Sequence, residues 1–312
     1  MFSQAIFLIG PTAVGKTQTS ILLAKYLDTE IISADSMQIY KGMDIGTAKP
    51  SKNEREVVRH HMIDIVDPTE DFSAGEYLRK VREVIAELSR KKKIVLIVGG
   101  TGLYIKSLTR GLFEGSKCDK DFRIRVKMQE EIHGKGYLHG RLEKIDPLAA
   151  SKIHPSDLRR IIRALEVYNL KKRPISDLQK KDTLGYLQNP IKIGLTRDRN
   201  ELYRMIEDRV ERMVSIGFVE EVNSLIERGC HEGMTSMQGL GYRHFLRYFK
   251  REYSLDEAIR LLKRDTKRYA KRQFTWFRKE EGIQWVDITG YTEPVEILGL
   301  LKKKVERLRE LL

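Results

Sequence analysis

For its first hundred residues the chain alternates short apolar runs with longer stretches of helical period. Ala5–Ile9 and the near-continuous run Ile94–Val98 read as strands. Ile94–Val98 has no polar residue to face water, which suits a strand covered on both faces of a parallel sheet. Glu30–Ser33 and His61–Ile65 read as two further strands. Gln18–Leu27 and Ser73–Arg90 carry apolar residues at helical spacing, in the second case Tyr77, Leu78, Val81, Val84, Ile85 and Leu88. Ser73 and Glu76 stand where a capping box would start that helix. Strands alternating with helices predict an α/β fold built on a parallel sheet flanked by helices.

The pattern changes after residue 112. Asp119–Ile132, Tyr137–Ile145 and Ser156–Leu170 predict helices with strong charge and few strand signals, and Ile191–Leu195 returns to a strand. That stretch is long for a single crossover. Residues 113–190 are therefore read as an all-helical insertion in a core made of residues 1–112 and 191–312. The last third predicts helices over Arg199–Gly217, Val219–Arg228 and Leu255–Lys279 and a glycine turn over Gln238–Arg243. One more strand at Gln284–Asp287 and a closing helix from Pro294 to Leu312 complete it.

Composition narrows the class. No apolar run approaches the roughly 18 residues of a membrane span. The apolar start lacks the basic region and cleavage site of a signal peptide, so Ala5–Ile9 is expected to be the first strand. Cys118 and Cys230 are too few for a disulfide framework or a usual zinc site, and a cytoplasmic location is the expectation. The net charge of +14 calls for a polyanionic partner, nucleic acid first, and nothing points to a membrane or a protein partner.

The candidate chemistry starts between the first strand and the first helix. Gly10, Pro11, Thr12, Ala13, Val14, Gly15, Lys16 and Thr17 fit G-x-x-x-x-G-K-[ST], a phosphate-binding P-loop, and its strand and helix are in the order the motif requires. The core is thus expected to be P-loop NTPase-like. Backbone N–H groups and the helix N-terminus face an oxyanion, Lys16 adds charge, and the Thr17 hydroxyl can hold Mg²⁺. A nucleotide hydrolase normally has an acid at the end of an apolar strand, yet Ile94–Val98 ends in Gly99 and Gly100. The acid at a strand end is Asp35, a candidate general base or an ordinary cap. Ser36, Met37 and Gln38 follow it, and a Gln side chain can read both edges of a base.

Charge is concentrated downstream. Arg260–Lys279 holds nine Lys and Arg against Asp265 alone, with Lys263, Lys267 and Lys271 on one helix face and Tyr269, Phe274, Trp276 and Phe277 interleaved. Such stripes suit RNA, with a solvated face over core aromatics as the plain alternative. A second basic run holds Arg159, Arg160 and Arg163 around Ile161 and Ile162. Arg209 has Glu207 and Asp208 beside it, which leaves a salt bridge open as its role. His60 and His61 should face opposite sides of a strand and so form no metal pair.

Across nearly its whole length the chain resembles the bacterial-type tRNA dimethylallyltransferase (tRNA isopentenyltransferase) family. Gly10–Thr17, Asp35–Tyr40, Met43–Lys49, His60–Ile65, Phe72–Gly75, Gly99–Tyr104, Leu158–Glu166, Gly241–Arg243 and Tyr269–Trp276 carry the resemblance. It implies transfer of a dimethylallyl group from its diphosphate to the exocyclic amine of the adenosine 3′ of the tRNA anticodon. It makes Lys16, Thr17 and Mg²⁺ the diphosphate site, puts Thr12 in the donor pocket, and makes Arg209 a diphosphate-binding arginine. It further implies that Asp35 is the base and that Thr101 lies near the reacting centre. Thr101, Arg123, Asp35–Gln38, Arg159–Arg163 and the turn with Gly241, Tyr242 and Arg243 would meet tRNA. The competing readings are a P-loop kinase of small molecules or nucleotides, an isopentenyltransferase of free adenine nucleotide, and an RNA-binding module without catalysis.

Overall fold

A computed structural model describes residues 4–112, 119–180 and 185–311, so Cys118 lies outside the described residues. The chain divides into two compact units, Met1–Thr109 with Leu187–Leu312, and Arg110–Tyr186. The first unit begins with β1 (Ala5–Ile9), α1 (Lys16–Tyr26), β2 (Ile31–Ala34), α2 (Lys52–Val57), β3 (His60–His61), α3 (Ala74–Arg90), β4 (Val95–Gly99) and α4 (Gly102–Thr109). The second unit holds α5 (Lys120–His133), α6 (Tyr137–Ile145), α7 (Pro147–Ala150), α8 (Leu158–Lys171) and α9 (Ile175–Lys180). The first unit resumes with β5 (Ile191–Thr196), α10 (Arg199–Ser215), α11 (Phe218–Glu227), a 3₁₀ turn at Ser236–Gln238 and α12 (Leu240–Phe249). It closes with α13 (Leu255–Phe277), β6 (Ile283–Asp287), α14 (Pro294–Lys304) and α15 (Glu306–Arg309).

All six strands run parallel in the order β3-β2-β4-β1-β5-β6. β1 and β4 are buried along their whole length, the condition their unbroken apolar sequence requires. One core cluster packs Ile6, Leu8, Leu96 and Ile193 against Leu23 of α1 and Ile297 and Leu301 of α14. A second gathers Tyr40, Val210, Phe218, Tyr242, Phe245 and Leu262, joining α10–α13 to the loop after β2. The other unit has its own core, with Phe122, Val126, Leu138, Leu142, Ile161 and Leu165 buried together.

The capping box at Ser73 and Glu76 is present, and Asp119, Asp157, Asp198 and Ser254 cap α5, α8, α10 and α13 with their side chains. Three expectations are corrected. The strand over His61–Ile65 is only His60–His61, because Met62 and Asp64 take φ of 64° and 55° and turn the chain. That turn lets Asp64 meet Lys49 at 2.5 Å and Arg55 at 2.6 Å. The turn expected at Gln238–Arg243 is the 3₁₀ turn and the first turn of α12; Gly241 is helical, and a Cβ there would press on the Phe218 ring. The closing helix is interrupted at Val305, whose backbone is extended. His60 and His61 diverge as expected, His60 bonding the Val58 carbonyl and His61 the Glu30 carboxylate, both at 2.7 Å.

The sheet order places the ends of β2, β4 and β1 side by side, and Gly99 is what lets β4 lie so close to β2. A Cβ at Gly99 would overlap the backbone of Ala34. Gly99→Ala should therefore lower stability by about 1–3 kcal/mol, the usual cost of overpacking, read as a lower denaturant midpoint with an unchanged slope.

Candidate active site

The phosphate loop is shaped by its glycines and held from three sides. Gly10 lies under the Leu195 carbonyl of β5, 2.8 Å from where a Cβ would stand, and Gly15 takes φ of 112° to start α1. No side chain caps α1, so the N–H groups of its first turn are available to an anion. Lys16 Nζ donates to the Gly10 carbonyl at 3.1 Å and the Pro11 carbonyl at 2.6 Å. The Thr12 N–H donates to Gln273 Oε1 at 2.9 Å, and Gln273 Nε2 donates to the Gly100 carbonyl at 2.9 Å. Arg197, just past β5, donates from Nε to the Val14 carbonyl at 3.2 Å.

Asp35 follows β2, two strands from the loop, with the end of β4 between them. Its Oδ1 accepts the N–H groups of Met37 at 2.8 Å and Gln38 at 3.3 Å, the Asx turn its sequence position allows. Oδ2 has no hydrogen bond among the described residues. The cap and the cleft carboxylate thus belong to one residue, each oxygen with its own task. Thr101 sits beside it: its N–H donates to the Ala34 carbonyl at 3.1 Å, and its Oγ1 accepts the Ser36 N–H at 3.1 Å. Tyr77 and Tyr104 stack at 3.7 Å behind this loop, and the Tyr77 hydroxyl donates to the Ser33 carbonyl at 3.1 Å.

The charges converge. Lys16 and Arg209 retain some solvent contact but are ringed by protein atoms. Desolvation, and then the Arg209 charge, pull the Lys16 pKa down to about 7, with Asp35 opposing. Desolvation also lowers Arg209, again opposed by Asp35. Tyr269, on the side of α13 that Gln273 shares, is raised by burial and then by the Asp35 charge. Lys16, Arg209 and Asp35 therefore act on one another across a single cleft. The salt bridge left open for Arg209 is not formed: Glu207 binds Lys267 instead, and Arg209 has no ion pair among the described residues.

Other candidates are placed differently from expectation. Gln38 is committed internally, accepting from Ser33 Oγ at 3.0 Å and donating to the Thr47 and Ala48 carbonyls, so its amide is not presented to a base. Tyr242 is core: its ring meets Phe218 edge-on and its hydroxyl donates to Glu221 at 2.7 Å. Gly241 is buried beside it, and Ile161 is buried in the second unit with Ile162 packed alongside, so apolar packing claims both isoleucine side chains. In that unit, the buried Glu166 carboxylate takes two hydrogen bonds from Arg123, both at 2.8 Å, and one from Arg163 at 2.5 Å. Burial pushes Glu166 up, but those arginines and the Asp119 N–H outweigh it and hold its pKa low. Arg159 and Arg160 are exposed on the same helix. Lys263 and Lys267 pair with Glu211 and Glu207 of α10, Arg243 with Asp265 at 2.8 Å, and Lys271 is exposed.

Gln273 and Arg197 were not singled out for the loop they hold. Gln273 left a signal, since it is the polar residue on a stripe with Leu262, Tyr269 and Phe277 that otherwise reads as buried. Arg197 left a weaker one, a cation immediately after a strand. Among the described residues, no cluster of three His, Cys, Asp or Glu could hold a metal by itself. The Thr17 hydroxyl has no hydrogen bond among the described residues. One hydroxyl next to a diphosphate cradle fits a hard cation that takes most of its oxygens from phosphate and water. No helix of the described residues is long and apolar enough to cross a membrane.

Comparison with known proteins matches residues 38–280 to the model of the IPP transferase family. The tRNA dimethylallyltransferase of Thermodesulfovibrio yellowstonii is 52% identical over 93% of each chain. That of Halothermothrix orenii is 47% identical over 92% of this chain and 88% of its own. Among solved structures, the tRNA isopentenylpyrophosphate transferase of Bacillus halodurans is 40% identical over 99% of each chain, with a TM-score of 0.71. A eukaryotic dimethylallyltransferase acting on tRNA is 28% identical, with a TM-score of 0.79 over 98% of this chain and 77% of that one.

A Lys16 pKa near 7 makes anion binding a proton-linked event. A diphosphate favours the charged ammonium, so binding above pH 7 should draw a proton onto Lys16. Titration calorimetry with pyrophosphate at about pH 8, in buffers of different ionisation enthalpy, reads this directly. Lys16→Arg, charged throughout, should take up close to one proton fewer than the parent. Equal uptake in the two would show that Lys16 is already charged in the free protein.

Proposed function

The chain belongs to the IPP transferase family, and from that premise we propose that it transfers a dimethylallyl group from dimethylallyl diphosphate to the N6 amine of the adenosine on the 3′ side of the tRNA anticodon. The observation that supports this best is the pairing across one cleft: a phosphate cradle with Lys16 and Arg209 on one side, and the Asp35 carboxylate with Thr101 on the other. β4, the strand between them, ends in Gly99 and Gly100 rather than in an acid, which favours a leaving-group site over a nucleotide hydrolase.

In this reading the bond between the allylic carbon and the diphosphate oxygen breaks, and its electron pair leaves with the diphosphate. The loop N–H groups, the α1 N-terminus, Lys16 and Arg209 stabilise that charge, and such preorganised donors are usually the largest catalytic contribution. The adenine nitrogen forms the new bond to carbon and its proton passes to Asp35 Oδ2. Thr101, fixed by its bond from the Ser36 N–H, borders the nucleotide. Thr17 would hold Mg²⁺ on the diphosphate, and the ion would add charge stabilisation there. The target base must leave its stack to arrive, at a cost of a few kcal/mol. Arg123, Arg159, Arg160, Arg163, Arg243, Lys267 and Lys271 offer cations for RNA phosphates that offset it. In this reading the enzyme works in the cytoplasm, where it would meet its tRNA.

The assay incubates the protein with unmodified tRNA, dimethylallyl diphosphate and Mg²⁺ and digests the RNA to nucleosides. Prenylated adenosine is the expected product. Prenylated AMP without RNA would favour the free-nucleotide reading, and ADP formed from ATP the kinase reading. Asp35→Asn should keep tRNA affinity and lose at least about 100-fold in rate, the range of a general base. Near-normal turnover in that variant would remove Asp35 from the role.

A further inference from the structure

α10 and α13 pack side by side and each has two working faces. Arg209 on α10 and Gln273 on α13 face the cleft. Glu207 and Lys271 lie two positions before them and so are turned by about 200° to the far side. There a groove of about 490 Å³ runs between the helices, lined by seven cations, one carboxylate and Tyr203. Its floor is fixed. Lys263 and Lys267 are pinned to Glu211 and Glu207, and the Tyr203 ring has Arg199 at 5.1 Å and Lys267 at 5.4 Å.

Behind the groove stands Asp265, the one acid in the basic stretch of α13, with a side chain only 10% exposed. Its Oδ1 accepts from Arg264 at 2.9 Å and Arg268 at 3.4 Å. Its Oδ2 accepts from Arg243 at 2.8 Å and His244 at 3.1 Å. Burial raises this carboxyl, but the hydrogen bond and charge of Arg264, then those of His244, outweigh it and hold it at about 2. The three arginine side chains stay 42–62% exposed. A guanidinium has five N–H donors, and Asp265 takes only one from each. One buried carboxylate thus orients three guanidinium groups and leaves most of their donors outward. A helix anchor alone would need one such partner.

The chemistry of the groove selects its ligand. With cations on the only aromatic ring, it offers no platform on which a base could stack. Its α13 cations are spread from Arg260 to Lys271, about three turns of helix, rather than gathered on one point, which suits a run of singly charged groups. We propose that this groove holds a phosphodiester run of the RNA outside the nucleotide that occupies the cleft, and that Asp265 is the positioning residue that sets Arg264 and Arg268, the two of its arginines that line the groove, for it. The inference rests on the reading of the substrate as tRNA. It places a backbone contact, independent of sequence, on the face opposite the chemistry.

The test uses the full chain, a salt series of tRNA binding, pyrophosphate calorimetry and steady-state prenylation. In the double variant Arg264→Ser/Arg268→Ser, tRNA Kd should rise on the order of tenfold at about 0.1 M salt, and the slope of log affinity against log salt should shrink by about two. Pyrophosphate affinity should stay at the parent's value. Asp265→Asn should raise the tRNA KM while kcat at saturating tRNA is kept, the mark of lost uniform binding. Should Asp265→Asn not fold, the double variant, which keeps the Asp265 bonds to Arg243 and His244, carries the test. A double variant with the parent's Kd and salt slope overturns the proposal, as does one that loses tRNA and pyrophosphate affinity together. If the parent shows the groove-dependent salt slope but forms no prenylated nucleoside, the enzymatic reading fails and the groove stands. If it prenylates tRNA and the double variant binds as the parent does, the groove fails and the enzymatic reading stands.

Discussion

Gln273 reaches out of a strongly basic helix to two backbone groups, the N–H of Thr12 in the phosphate loop and the carbonyl of Gly100 at the end of β4. Both bonds are buried or nearly so, and leaving such groups unpaired costs about 1–3 kcal/mol each. The side chain fits because Gly100 has no Cβ to block it. Through this amide the position of α13 is tied to the loop that starts α1, and Tyr269, on the same side of α13, lies within the field of Asp35. The cleft is therefore closed on one side by a helix more than 250 residues away in sequence, and the loop is fixed before any anion arrives.

The same economy governs charge. The chain carries an excess of +14, and buried carboxylates, fewer in number, decide where that charge points. Glu166 takes Arg123 and Arg163 in one unit, and Asp265 takes Arg243, Arg264 and Arg268 in the other. Each is a buried charge satisfied several times over, the condition under which such a group is tolerated. Arg209 is the contrast. Among the described residues it has no carboxylate bonded to it and stands across the cleft from one, so its donors remain for a ligand. An acid that reaches a cation fixes where it points, and the donors it does not use stay open to a ligand.

The chemistry-bearing stretches were legible because local physics sets them. A glycine loop between an apolar strand and a helix has few uses other than phosphate binding. Asp35 was identifiable as an acid at a strand's carboxyl end, and the Gly99-Gly100 end of β4 as the place where a hydrolase acid is missing. Elsewhere tertiary contacts engage side chains in ways that local sequence does not show. Gln38 spends its amide on Ser33, Thr47 and Ala48, Tyr242 turns inward to Glu221, and the His61–Ile65 strand yields to a turn that serves Lys49 and Arg55. Nothing at those positions marks the partner, which lies up to 21 residues away.

The sequence by itself determined most of the strands and helices, the phosphate loop and the signs of the charges, since each depends on residues within a few positions of one another. Only the tertiary structure decided that β4 lies between β1 and β2, and so that Asp35 looks across at Lys16. It alone selected Gln273 and Arg197 as the holders of the loop and divided the basic residues of α13 between ion pairs and open surface. Those outcomes depend on strand order and on which acid comes within reach of which cation, and both are set by packing between segments distant in the chain.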